Sequence, residues 1–166
     1  ALGRPVSELV EPFDTVMFCL SKGLAAPVGS LLVGTSALVE RAWILRKTYG
    51  GGMRQAGVLA AAGLVALDEM VERLAEDHAN ARALAEGLAA LPTVALDPES
   101  VQTNIVIFDL DELAPAAADL SARLKARGVL ANPVAPRQLR MVTHNDVSRD
   151  DCLAAVEATR EALLDG

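Results

Sequence analysis

Phe18-Cys19-Leu20-Ser21-Lys22-Gly23-Leu24-Ala25-Ala26-Pro27-Val28-Gly29-Ser30 decides how this chain is read. It sets one lysine at the end of an apolar run and follows it at once with a glycine turn. Thr15 to Leu20 is mostly apolar and carries β-branched residues, which predicts a buried strand. Gly23 and Pro27 stop regular structure, and Ser30 to Gly34 reads as the next strand. Held at the end of a buried strand, Lys22 is expected to be partly desolvated. Loss of water favours the neutral amine, which can attack a carbonyl and form a Schiff base. A solvated lysine in a hairpin loop has the same pattern, and on residue types alone it is the commoner case.

The wording of the segment goes further than its residue types. Ser21-Lys22-Gly23-Leu24, then Ala26-Pro27-Val28-Gly29-Ser30, closely resembles the cofactor-lysine segment of the L-threonine aldolases. These are pyridoxal-phosphate (PLP) enzymes of the aspartate-aminotransferase-like fold, fold type I. Many members carry glycine where Ala25 stands. The resemblance continues through Arg46-Lys47-Thr48-Tyr49-Gly50-Gly51-Gly52-Met53-Arg54-Gln55-Ala56-Gly57, and again through Arg140-Met141-Val142-Thr143-His144 with Asp146-Val147-Ser148. The three motifs stand in the family's order over most of the chain.

That resemblance implies an α/β fold. Residues 1–70 would be the C-terminal part of a large PLP-binding domain bearing the cofactor lysine, and 71–166 a small C-terminal α+β domain. Lys22 is then the catalytic residue, bonded to PLP and later shuttling protons. Arg140 is expected to bind the substrate α-carboxylate, which its guanidinium fork suits better than a lysine would. Arg137 nearby reads as an ordinary surface residue, and His144 has at most a positioning role. Lys47 and Arg54 flank the glycine triplet, which the family places near the cofactor at a subunit interface. Arg54 is expected on the cofactor and Lys47 on the substrate, possible members of a neighbouring subunit's site; solvated or structural ion pairs are the alternative.

The implied reaction cleaves L-threonine or L-allo-threonine to glycine and acetaldehyde. The partners would be a small β-hydroxy amino acid, the N-terminal half of the same protein and a homotetramer with active sites at dimer interfaces. In the family, an aspartate for the pyridinium nitrogen, a stacking histidine and a phosphate loop all lie upstream of Ala1. The chain therefore reads as a C-terminal half, and alone it is expected to bind PLP weakly and to be inactive. Two other readings stay open: another fold type I PLP lyase acting on β-hydroxy amino acids, or a non-catalytic fragment that needs its N-terminal half. A cofactor-free lysine aldolase on a β/α barrel would need repeated β-α units, which the pattern lacks.

Composition narrows the classes independently. The 166 residues carry a formal charge of -7, and no basic run is interleaved with aromatics, which argues against a nucleic-acid partner. With 52% hydrophobic residues there is ample core material. Cys19 and Cys152 are too few for a disulfide scaffold and have no metal-ligand spacing, so a reducing, cytoplasmic setting fits and no metal is expected. The apolar run from Val58 to Leu67 is too short to span a membrane.

Elements follow from caps and periodicity. Ser7 to Val10 is a short helical turn. Ala37 to Lys47 is expected to be helical, with Arg46 and Lys47 in its last turn and Gly50 as its stop. Met53 to about Ala90 carries one long helical pattern, broken near Met70 to Glu76; its part from Ala56 to Leu67 is apolar nearly all round and should be buried on every side, against the missing half or another subunit. Strands are expected at Val94 to Leu96, Thr103 to Phe108 and Leu139 to Val142. Helices are expected at Pro115 to Arg127, ended by Gly128, and from the Ser148 cap to about Leu164. This β-β-α-β-α tail predicts a small sheet with helices on one face.

Overall fold

The computed structural model describes residues 1–165. The chain divides between Leu74 and Ala75 into two compact units.

In the first unit, α1 (Val6–Val10) leads into β1 (Thr15–Cys19) and β2 (Ser30–Gly34). These pair antiparallel from Thr15 opposite Gly34 to Cys19 opposite Ser30, so the lysine segment is the loop of a two-stranded hairpin. Helix α2 (Ser36–Thr48) follows, its first turn capped by Thr35 Oγ1, which accepts from Leu38 N. Gly50 ends it as the basic last turn suggests. At φ +79° it takes the left-handed conformation that glycine adopts without a Cβ clash. Gly50 N–H then bonds Lys47 O and Gly51 N–H bonds Arg46 O, the paired bonds that close a helix C-terminus.

The long helical pattern resolves into α3 (Gly57–Glu69) and α4 (Leu74–Ala89), with the break at residues 70–73. Residues 53–56 are not helical; Gln55 at φ +51° turns the chain before α3 begins. Two apolar segments of this unit are largely open within the chain, against the expectation of a buried strand in the first case. Within Thr15 to Leu20 only Leu20 is buried, and Met17 lies open. Along α3 only Gly63 and Ala66 are buried, while Val58 is 80% exposed. A two-stranded sheet has too little surface to cover an all-apolar helix and its own two faces at once, and the core amounts to Leu20, Ala26 and Ala66, with Phe18 and Leu24 against them.

The second unit, from Ala75, holds most of α4 and a four-stranded antiparallel sheet in the order β3 (Val94–Ala95), β4 (Ile105–Leu110), β6 (Gln138–Val142), β5 (Asn132–Ala135). Burial alternates along β4: Val106, Phe108 and Leu110 point inward, while Ile105, Ile107 and Asp109 face out. In β6 the inward residues are Leu139 and Met141. The inward face packs against α4, α5 (Ala117–Ala126) and α6 (Arg149–Leu164) through Leu88, Leu120, Leu124 and Val156. Period-two alternation with helices on one face is the expected pattern for such a layer.

Strand β5 escapes the sequence pattern because Pro133 lies inside it. It is tolerated on an edge strand, and the pairing with β6 shifts register between Pro133 and Ala135. The start of α6 is as expected: Ser148 Oγ accepts from Asp151 N, and the Asp151 carboxylate accepts from Ser148 N. The Ser148 hydroxyl and the Ser148 N–H, both donating to that carboxylate, hold the Asp151 carboxyl below its ordinary range. No helix among the described residues is long and apolar enough to cross a membrane, and no group of three His, Cys, Asp or Glu among them could hold a metal ion.

Candidate active site

Lys22 follows the last paired residues of β1 in a loop tightened by its own backbone. Ala25 N–H bonds Lys22 O at 2.9 Å, Ala26 N–H bonds Leu20 O at 3.0 Å and Leu20 N–H bonds Gly29 O at 2.9 Å. Lys22 therefore heads a turn that reverses over Gly23 and Leu24. Two features pin it. A Cβ on Gly23 would stand 2.8 Å from Leu74 Cδ2, so the turn lies against that side chain. Ala25 adopts φ +57°, a left-handed conformation that costs an L-residue about 1–2 kcal/mol. This is the position where glycine is the family's common choice.

Lys22 itself is exposed, contrary to the expectation of partial desolvation. The lysine stands at the rim of a sheet only two strands wide. Ser21 and Ser30 flank it. Ser30 Oγ lies 3.6 Å from Cys19 Sγ across the hairpin, in keeping with a structural role.

Lys47 and Arg54 are brought together. With Trp43, Arg46, Gly50 and Gly52 they line a cavity of about 380 Å³ behind the C-terminus of α2, which Lys22 does not line. Arg46, Lys47 and Arg54 form no ion pair or side-chain hydrogen bond among the described residues. Three cations around a glycine backbone are a donor set of the charge that an anion would require. Arg46 was not singled out from the sequence, although its place in the basic last turn beside the triplet was the available signal.

Arg140 lies in the second unit, on the outward side of β6. Its cross-strand neighbours are Ile107 on β4 and Asn132 on β5, with Val142 two residues on beside Ile105. It is half-buried, and its Nε is enclosed without a hydrogen-bond partner. Other arginines of this unit are engaged: Arg82 with Glu86 and Glu99, Arg127 with Glu161 and Asp165, Arg160 with Glu157. Arg137, expected as an ordinary surface residue, instead donates to the carbonyls of Asp111, Glu112 and Ala114 and ties down that loop. An enclosed donor with nothing to bond is costly unless a ligand completes it.

His144 is exposed, and its Nδ1 accepts from Asp146 N at 3.2 Å, which shapes the turn into α6. Cys152 lies buried in α6, and burial pushes its thiol up, so it stays a protonated core residue.

Comparison with known proteins gives a consistent result. The beta-eliminating lyase family matches residues 1–111. The low specificity L-threonine aldolase of Escherichia coli (strain K12) is 46% identical over 164 residues, covering 99% of this chain and 47% of that protein. Among solved structures, a Listeria monocytogenes protein with a provisional L-allo-threonine aldolase name superposes with a TM-score of 0.76 at 17% identity, over 96% of this chain and 47% of its own. A PLP-dependent aminotransferase from Streptococcus suis gives 0.71 at 15% identity, over 94% and 44%. The chain spans about half the length of the curated relatives it matches. Its fold is that of PLP-dependent fold type I enzymes.

Proposed function

We propose, for a chain that belongs to the beta-eliminating lyase family, that it carries part of the active site of a PLP-dependent aldolase that cleaves L-threonine or L-allo-threonine to glycine and acetaldehyde. The observation that carries this is Lys22 on a turn held by Gly23 and the left-handed Ala25, within the wording shared with the threonine aldolases. In this reading residues 1–70 complete a large PLP-binding domain and 71–166 form a small C-terminal one. The enzyme is a cytoplasmic homotetramer, and the N-terminal half of the same protein supplies the rest of the site.

The donors present fit PLP. Lys22 offers an amine at a loop rim with no ion partner among the described residues, and the unpaired cations of the α2 cavity match a phosphate in charge. When bound, PLP supplies an electron sink for the charge left as the Cα–Cβ bond breaks. Lys22 Nζ holds the cofactor and takes and returns a proton. Arg140 binds the α-carboxylate with its fork and so orients the bond to be broken. Arg54 holds phosphate and Lys47 the substrate, in the site of a neighbouring copy, since Lys22 does not line their cavity.

The test is incubation with PLP, borohydride reduction and peptide mapping, first on this chain and then with the N-terminal half added. A pyridoxyl adduct on Lys22 alone is expected once both halves are present. Label scattered over surface lysines, or absent, would leave a non-catalytic fragment. The family description favours one further reading, a β-elimination. Product analysis separates the two: glycine with acetaldehyde for the aldolase, ammonia with a keto acid for the lyase.

A further inference from the structure

Strand β6 ends at Val142, two residues beyond Arg140, and the chain there is gripped from two sides. Past the last paired rung, Ile105 opposite Val142, Thr143 N–H donates to Asn104 O at 2.9 Å. Asn104 Nδ2 donates back to Thr143 O at 2.8 Å, so a side-chain amide extends the ladder by one rung. The Thr143 hydroxyl, buried with the rest of its side chain, donates to Asp77 O in the first turn of α4 at 2.7 Å. One turn along that helix, Asn80 Nδ2 donates to Val147 O at 3.2 Å. The end of β6 is thus tied to the neighbouring strand and to α4, where a free strand end would fray.

Arg140 needs such an anchor. Its enclosed Nε has no hydrogen-bond partner among the described residues, so no such bond holds that nitrogen and its placement rests on the strand that carries it. A bidentate fork tolerates little displacement, and a misplacement of about 1 Å can cost on the order of 100-fold. We propose that Asn104 and Thr143 are positioning residues for substrate binding: their clamp fixes the end of β6 so that Arg140 meets the α-carboxylate. This rests on the reading of Arg140 as the carboxylate group. The clamp joins residues far apart in sequence, and its polar atoms bond one another, while Arg140 Nε two residues away is enclosed with no partner among the described residues.

The experiment compares two ligands that differ by the carboxylate alone, glycine and methylamine, titrated by cofactor absorbance into the PLP-loaded enzyme. Asn104→Asp keeps the size and removes the donor. It is expected to raise the Kd for glycine about tenfold, while that for methylamine moves by less than about twofold. Thr143→Val should behave alike, and Thr143→Ser, which keeps the hydroxyl, should restore the parent ratio. If Asn104→Asp does not fold, the Thr143 pair carries the same test. Arg140→Gln separates the two levels of the argument. Should it leave glycine binding unchanged, the carboxylate assignment falls. Should it weaken glycine alone while the clamp variants shift both ligands equally or neither, the positioning inference is overturned.

Discussion

The two units of this chain solve the problem of burial differently. The second closes a core around Val106, Phe108, Leu120 and Leu139, all essentially inaccessible, with helices over one face of its sheet. The first encloses three apolar side chains, Leu20, Ala26 and Ala66, and leaves Trp43 59%, Val58 80% and Tyr49 84% exposed. Both are rich in apolar side chains, so composition does not separate them. The difference lies in layers: four strands carry three helices over one face, whereas a two-stranded hairpin cannot cover the helices beside it. Exposed apolar surface of this extent is unusual on a protein that stands alone, while the second unit closes its own core.

Paired substitutions sharpen that contrast. Phe108→Ala, at the centre of the second core, is expected to cost about 4 kcal/mol in urea denaturation of this chain. Val58→Ser on α3 should move it by less than about 0.5 kcal/mol. A loss above about 2 kcal/mol at Val58 would break the comparison by showing a first unit already packed.

The next effect is smaller and depends on pH. Ser148→Ala removes the cap of α6 and should cost about 1 kcal/mol near neutrality. Asp151 has its pKa lowered from an ordinary 3.8 by the Ser148 hydroxyl and backbone. Its contribution is therefore present above the unfolded value and lost as pH falls through the folded one. The gap between parent and variant should narrow in the acid range below about pH 4; a gap that widened there would contradict the capping box.

The smallest effect lies in the lysine loop. Ala25→Gly relieves a left-handed alanine but adds freedom to the unfolded chain, for a net stabilisation of about 0.5 kcal/mol. Thermal melting of the pair measures it, and a destabilised glycine variant would show that the methyl group makes contacts that outweigh its strain.

Features that depend on a few adjacent residues were legible in the sequence. The Ser148 cap, the stops at Gly50 and Gly128 and the bounds of β2 needed nothing distant. Strand β5 was hidden by Pro133, whose cost vanishes only because the strand lies on an edge. The burial of Thr15 to Leu20 was misread because apolar composition says what a segment prefers, and the number of packed layers decides what it obtains within the chain. In the candidate site, Lys22, Lys47, Arg54 and Arg140 were marked by family wording. Arg137 and the Asn104–Thr143 clamp were not, since their partners lie some 23 to 39 residues away and only folding brings them near.

The alternation along β6 has a consequence for how such a protein can change. Leu139 and Met141 answer to the packed interior, and Gln138, Arg140 and Val142 answer to whatever meets the outer face. Because neighbours in sequence face opposite ways, a substitution at one set leaves the other almost untouched. Ile107 and Asn132, which flank Arg140, sit on that same outer face and share the freedom. A lineage can therefore redraw the ground around one arginine by single mutations while inheriting its scaffold intact.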